Sequence, residues 1–262
     1  MSLHRFDSKG KTRLTLVFDL GRALVAASAR LRGDDGWLRL DDVAHATLYP
    51  EPGAEETVGF YTDHVLPRAQ DALMGRKPLR EVRARVCSGL RGDVVEVGFG
   101  TGLNSPYYPS EVTTLYAVEP SQVSMRMARP RVEKNNVPME PAGLSGERLD
   151  LPSERFDSVL STWTLCTIPD VGAALAELHR VLKPGATFHF VEHGHAPDPG
   201  VARWQERIEP FWKPIAGGRH LTRRMPELID QAGFIIDNLD TYYFTGELKP
   251  FGYTYEGRAH KN

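Results

Sequence analysis

The sequence predicts an α/β fold: a doubly wound, mostly parallel sheet with helices on both faces, preceded by an N-terminal appendage. Two observations carry that prediction. From Asp93 onward, short apolar runs alternate with stretches of helical spacing, the pattern of strand–helix–strand units. The first of those runs, Val94–Val97, opens directly into Gly98-Phe99-Gly100-Thr101-Gly102. A glycine-rich turn after the first strand is where doubly wound sheets bind ligands.

The elements follow in chain order. Residues 1–55 read as a separate unit, a lid or a dimer arm, through which a homodimer could form. Within it residues 14–32 suit either a helix or a hairpin turning at Asp19–Gly21, and residues 37–50 look strand-rich. Pro50, Pro52 and Gly53 then punctuate the chain. Residues 56–262 form the second domain. Its start is helical, through residues 58–75 and 78–90. Strands are expected at Val94–Val97, Thr113–Val118, Phe156–Thr162 and Ala186–Glu192. Residues 121–136 read as a helix that Pro130 kinks or ends. Val171, Leu175, Leu178 and Leu182 repeat at helical spacing, and Lys183-Pro184-Gly185 stops that helix. Phe234–Tyr243 and Phe251–His260 are two further strands, expected as an antiparallel pair at one sheet edge.

Composition narrows the function. The 262 residues are 41% hydrophobic and 25% charged with a net charge of −2, an ordinary globular balance. It provides no basic field for nucleic acid. Cys87 and Cys166 stand far apart with no CxxC pair, so neither a disulfide framework nor a zinc site is indicated, and a reducing, cytoplasmic setting fits. The most apolar stretch, Leu14–Leu31, is broken by Asp19, Arg22 and Arg30, too charged for a membrane span.

The glycine loop has the spacing GxGxG, and Leu103 stands where a dinucleotide fingerprint wants its third glycine. Two acids sharpen the reading. Glu96, at the end of the first strand, would repel a pyrophosphate and attract an α-amino group. Glu119, at the tip of the second strand, can accept from both hydroxyls of a ribose, each charge-assisted bond worth about 1.5–3 kcal/mol. A ribose and an ammonium without a phosphate describe S-adenosylmethionine.

At this point the sequence resembles the class I S-adenosylmethionine-dependent methyltransferases, from about Phe60 to its end. VVEVGFGTG (residues 94–102) is similar to their first motif, with Phe99 where Cys or Ala is commoner, and AVEPS (117–121) to their second. FDSVLSTWTLCTI (156–168) resembles their fourth-strand segment, and LHRVLKPGATFHF (178–190) the helix-turn-strand after it. FHFVEHGHAP followed by WQERIEPFWKPIAGGRHLTR (188–223) resembles the branch of thiol S-methyltransferases, whose eukaryotic members carry a membrane anchor. This sequence shows no such segment, so no stable membrane anchor is expected.

The resemblance implies a Rossmann-like, mostly parallel seven-stranded sheet and a set of cofactor-binding residues. Gly98, Gly100 and Gly102 would line the methionine moiety, with Glu96, Phe99 and Asn104 beside them. Glu119 would hold the ribose, flanked by Pro120 and Ser121. Ser145, Gly146 and Glu147 stand near the adenine, Ser145 in place of the family's usual Asp. Thr162, Trp163 and Thr164 match the segment beneath the cofactor, and Tyr61 a capping aromatic.

Methyl transfer asks a protein for alignment, desolvation and sometimes a base. Phe99, Trp163, Tyr107 and Tyr108 could build an aromatic pocket. In the strand FHFVEHGH, alternation turns His189, His193 and His195 to one face and Glu192 to the other. His189 and His193 would be roughly 13 Å apart at ~3.3 Å per residue, too far to share a metal ion. His193, where the strand leaves the sheet, is the candidate catalytic base, with an ordinary pKa near ~6.5. His220 is read as a turn residue before a Thr222 cap. No metal is expected. The function expected is transfer of a methyl group to S or O of a small hydrophobic acceptor (thiol, phenol or quinone-like). A non-catalytic cofactor-binding partner or sensor, and a nicotinamide-dependent oxidoreductase, are the rivals.

Overall fold

The computed structural model describes residues 66–262. The chain divides into two units at Leu73/Met74. Helix α1 (Leu66–Met74) lies almost wholly in the first, and the expected boundary near residue 55 falls outside the described residues.

The second unit is built on one seven-stranded sheet. The strands are β1 (Gly92–Val97), β2 (Val112–Val118), β3 (Met139–Gly143), β4 (Phe156–Thr162), β5 (Leu182–His193), β6 (Phe234–Tyr243) and β7 (Tyr253–Lys261). Their spatial order is β3-β2-β1-β4-β5-β7-β6. The first five are parallel, whereas β7 runs antiparallel to both β5 and β6. The chain therefore steps outward from β1 to β2 and β3, then returns to place β4 on the other side of β1. This reversal opens a crevice beyond the carboxyl ends of β1 and β4.

The expected alternation is present, and β4 and β6 match their expected bounds. The terminal pair β6–β7 is antiparallel and lies at one sheet edge, as expected, with a short helix, Lys249–Gly252, before β7. Pro130 lies inside helix α3 (Gln122–Val132), which ends two residues beyond it. Ser121 starts α3, its side chain accepting from the Ser124 N–H at 3.1 Å. Helix α4 (Val171–Val181) is capped the same way, by Asp170 on the Ala173 N–H at 2.9 Å. Strand β3 was not expected. Its sequence, Met-Glu-Pro-Ala-Gly, has poor strand propensity, and it survives as an edge strand where Pro141 costs no inner ladder bond.

The two sheet faces are covered differently. Val95 and Val97 point into a cluster with Phe156, Leu175, Leu178, Phe188 and Phe234. Val94 points the other way, to Leu79, Val82 and Val86 of helix α2 (Lys77–Cys87). Period-2 alternation then turns Glu96 toward α2 as well. The buried stripe of α2 is Leu79, Val82, Arg83, Val86 and Cys87, so a guanidinium sits in the middle of an apolar seam. Both cysteines are buried and unpaired.

A candidate active site at the carboxyl ends of β1 to β5

Main-chain bonds fix the loop after β1. Gly98 and Phe99 both donate to the Val118 carbonyl, at 2.9 and 3.2 Å, and Gly98, Gly100 and Gly102 all have positive φ. The three glycines answer different demands. A Cβ on Gly98 would lie 2.0 Å from Thr164 Oγ1, whereas one on Gly100 would meet only the Gly98 carbonyl, at 3.8 Å. Gly98 is thus needed for packing, and Gly100 faces open space. A Cβ on Gly102 would press on Ala128, Ser105 and the ring of Phe99. Phe99 itself is buried on the α2 side of the sheet.

The acid at the tip of β2 closes onto this loop. Glu119 Oε2 accepts from the Gly100 N–H and Oε1 from the Ser121 N–H, both at 2.8 Å. Burial raises its proton affinity, and those two N–H groups act against the rise. Pro120 beside it is exposed, and the Ser121 side chain is occupied as the α3 cap.

Glu96 is fully buried. Its carboxylate accepts from Asn104 Nδ2 at 2.8 Å and from the Tyr108 hydroxyl. Asn104 also donates to Thr162 Oγ1 at 3.0 Å and accepts from Arg83 Nη1 at 2.6 Å. One polar network therefore joins α2, the end of β1, the turn after the glycine loop and the end of β4. Burial pushes the Glu96 carboxyl up to about 7, against the pull of Tyr108, Asn104 and Arg83. Tyr108 is thereby committed to Glu96, leaving its ring and not its hydroxyl for any aromatic pocket. Sequence reasoning missed Arg83; the signal available was a charge inside the apolar stripe of α2.

At the end of β4, Trp163 adopts φ +53, a conformation that costs an ordinary residue about 1–3 kcal/mol. Its N–H donates to the Val191 carbonyl at 2.7 Å. What holds the turn is Glu192, buried on the opposite face of β5 from the histidines. Its carboxylate accepts from Ser161 Oγ at 2.7 Å, from the Thr164 and Leu165 N–H groups at 3.0 Å and from Cys166 N–H at 3.2 Å. The Arg83 guanidinium lies 4.8 Å from the Trp163 ring centre.

Beyond β3, Ser145 is exposed and its hydroxyl accepts from the Glu147 N–H at 3.2 Å. Glu147 in turn accepts from the Asp170 N–H at 2.8 Å. Gly146 is buried, with Val97 and Ile168 filling the space a Cβ would need. Leu144, unmarked by the sequence reading, is 70% exposed at this edge of the crevice.

The histidines part company. His189 Nδ1 bonds the Val86 carbonyl at 2.8 Å, and burial pushes its pKa down to about 4. His193 is buried with its ring centre 6.2 Å from that of Trp163. Its expected pKa near the ordinary value is corrected: burial, with Arg219 nearby, drives it well below, against a weaker pull from the Tyr253 backbone. His193 is therefore neutral and a weak base. His220 bonds Glu209 at 3.0 Å. Thr222 is not a helix cap, because its hydroxyl goes to Glu209 at 2.8 Å and the next helix begins at Met225 with Arg224 before it. Tyr61 lies outside the described residues. Among the described residues, no group of three His, Cys, Asp or Glu side chains could hold a metal ion, and no helix is long and apolar enough to cross a membrane.

Residues 95–190, which carry the glycine loop, Glu119 and the β4 turn, match the family of the methyltransferase domain. Over that stretch the chain resembles a class I methyltransferase domain. A thiol S-methyltransferase of Rattus norvegicus is 32% identical over 54% of this chain and 59% of its own length. A ubiquinone biosynthesis O-methyltransferase of Rhodopseudomonas palustris is also 32% identical, over 58% of this chain and 54% of its own length. The chain thus spans less than two thirds of the curated relatives it matches. In fold, the chain resembles an S-adenosylmethionine-dependent methyltransferase of Thermotoga maritima, with a TM-score of 0.55 at 23% identity over 78% of this chain and 99% of that one. It also resembles a Haemonchus contortus phosphoethanolamine N-methyltransferase solved with S-adenosylhomocysteine, with a TM-score of 0.55 at 13% identity over 86% of this chain and 61% of that one.

Proposed function

We propose that this protein transfers a methyl group from S-adenosylmethionine to the S or O atom of a small hydrophobic acceptor. The observation that carries the reading is the pairing of Gly100 with Glu119: a main chain open to close approach, bonded to an acid suited to a ribose. The residues present fit that cofactor. Each Glu119 oxygen accepts one backbone N–H and keeps a second lone pair for a ribose hydroxyl. Gly100 leaves room for a ligand's backbone-close portion, with Gly98, Gly102 and the Phe99 main chain shaping the turn. Glu96, held by Asn104, would take the α-ammonium, and the buried Arg83 would balance the accompanying carboxylate. Leu144 presents an apolar surface to a purine, with Ser145, Gly146 and Glu147 beside it, and Pro120 and Ser121 border the ribose side.

The cofactor supplies an electrophilic methyl on a sulfonium centre. The chain's own part is positioning. Thr162, Trp163 and Thr164 would form the floor between cofactor and acceptor, and Trp163, its backbone pinned by Val191 and its turn by the Glu192 cage, would offer an aromatic face there. A thiol is already partly ionised at neutral pH, so exclusion of water and alignment carry its reaction without a strong base. His193 contributes a hydrogen bond to the acceptor and takes no proton.

The thiol S-methyltransferase and the ubiquinone biosynthesis O-methyltransferase support an S or O acceptor, and a phosphatidylethanolamine N-methyltransferase of Cereibacter sphaeroides, 30% identical, makes amines the comparison the test needs. Incubation with isotopically labelled S-adenosylmethionine and a panel of thiols, phenols, quinols and amines, read by mass spectrometry, tests the reading. Label on a thiol or phenol is expected. Label confined to amines, or none in the presence of bound cofactor, overturns it.

A further inference from the structure

Buried side-chain polar atoms rarely lack a partner, and each such orphan costs about 1–3 kcal/mol. Among the described residues, Trp163 Nε1, His193 Nδ1, Arg219 Nε and Trp212 Nε1 are all buried without one. They belong to separate elements: the β4 turn, the end of β5, the loop before the last long helix-strand unit, and helix α5 (Pro199–Ile215). Yet they are linked in space. Trp163 and His193 rings lie 6.2 Å apart. Arg219 is close enough to His193 to lower its proton affinity. Arg219 Nη2 donates to the Phe251 carbonyl at 2.5 Å, and the Phe251 ring lies 4.5 Å from that of Trp212.

Apart from His193, the chemistry of these atoms is one-sided. Indole and guanidinium N–H groups can only donate, whereas neutral His193, whose N–H goes to the Tyr253 backbone, offers the lone pair of Nδ1. The acids near them are committed. Glu192 is taken by Ser161 and three backbone N–H groups. Glu247 faces both Arg219 and Arg76, the latter at 3.5 Å, so two cations share one carboxylate. A ligand that satisfies this row must bring acceptor atoms and negative charge. An ammonium would bring only donors and would meet Arg219.

Resting on the methyltransferase reading above, we infer that Trp163, His193, Arg219 and Trp212 form an anion-accepting wall of the acceptor site, so that the acceptor binds as a thiolate or phenolate or through a carboxylate, and not as an amine. Such a wall would explain why the donors of Trp163, Arg219 and Trp212 persist unpaired. It gives Trp212 and Arg219 a role in choosing the substrate.

The test uses the full chain and three probes of similar shape: para-chlorothiophenol at a pH where it is ionised, benzoate, and benzylamine as its ammonium. Calorimetry first measures S-adenosylhomocysteine, which reports on the cofactor reading by itself. Each probe is then titrated with and without S-adenosylhomocysteine. At least one anion is expected to bind about tenfold or more tightly than the ammonium, the difference one charge-assisted hydrogen bond makes. Arg219→Gln should abolish the preference and Arg219→Lys retain part of it. Trp212→Phe, which keeps the ring on Phe251, should weaken the anion alone. Binding of thiolate without benzoate places the anion on the nucleophile itself; binding of benzoate without thiolate places it on a separate group. The inference is overturned if neither anion binds, if the ammonium binds as well, or if the preference survives in Arg219→Gln.

Discussion

The Gly100 N–H donates to Glu119 Oε2 across 2.8 Å, so the tip of β2 and the loop after β1 present one surface to a ligand. Removing the carboxylate should be felt mainly in binding, because Glu119 is only half-buried. Glu119→Ala is expected to weaken S-adenosylmethionine binding about 10- to 100-fold, the loss of one charge-assisted bond. The melting temperature should fall only slightly. Titration calorimetry and thermal melting, run side by side, check both halves.

Two glycines of the same loop should fail in different ways. Alanine at Gly98 would place its Cβ 2.0 Å from Thr164 Oγ1, so Gly98→Ala is expected to destabilise the fold. Alanine at Gly100 meets nothing closer than 3.8 Å and costs about 1 kcal/mol for its positive φ. Its larger effect should be on cofactor affinity. Denaturant unfolding and binding measured on both variants separate the cases; equal losses of stability would contradict the assignment.

Glu192 is a structural anchor of the β4 turn. Glu192→Ala leaves three backbone N–H groups buried without an acceptor, worth about 3 kcal/mol or more. Chemical denaturation should show that loss, and Glu192→Gln a smaller one, since its carbonyl can still accept.

Glu96 ties cofactor binding to pH. Its carboxyl is raised to about 7 from an ordinary value of 4.5, so the folded chain holds this proton more tightly than the unfolded one. Its contribution to stability therefore falls as pH rises through that interval and is flat above it. A ligand ammonium placed beside Glu96 would favour the ionised form and drive the proton off. Binding near neutral pH should release protons, read as a dependence of the binding heat on buffer ionisation enthalpy. Glu96→Gln should remove that dependence.

His193 should leave no mark on the pH–rate profile. Burial keeps it neutral far below its ordinary range, so the rate should rise with the ionisation of the acceptor. A limb near ~6.5 that vanishes in His193→Gln would show instead that it titrates during turnover.

Much of this was legible in the residues, and the exceptions have physical causes. Phe156–Thr162 and the alternation from Asp93 onward declare themselves because parallel central strands are apolar throughout. Gly98, Gly100 and Gly102 announce a turn, but their separate duties appear only when Thr164, 62 residues after Gly102, is folded against Gly98. Strand β3 hides behind Pro141 and Gly143, tolerated because the strand is an edge. Alternation turned Glu192 away from the histidines, but its partners are backbone N–H groups 26 to 28 residues upstream, which no periodicity encodes. Arg83 is not singled out by the sequence reading, although its place between Val82 and Val86 on the buried face of α2 marks it as internal.

The central claim is that a ribose and an ammonium, and no pyrophosphate, lie over the ends of β1 and β2. Titration of the full chain with S-adenosylmethionine and, separately, with NADH tests it most directly. Saturable one-to-one binding of S-adenosylmethionine with no heat from NADH is the predicted result. Binding of NADH with no response to S-adenosylmethionine would contradict it.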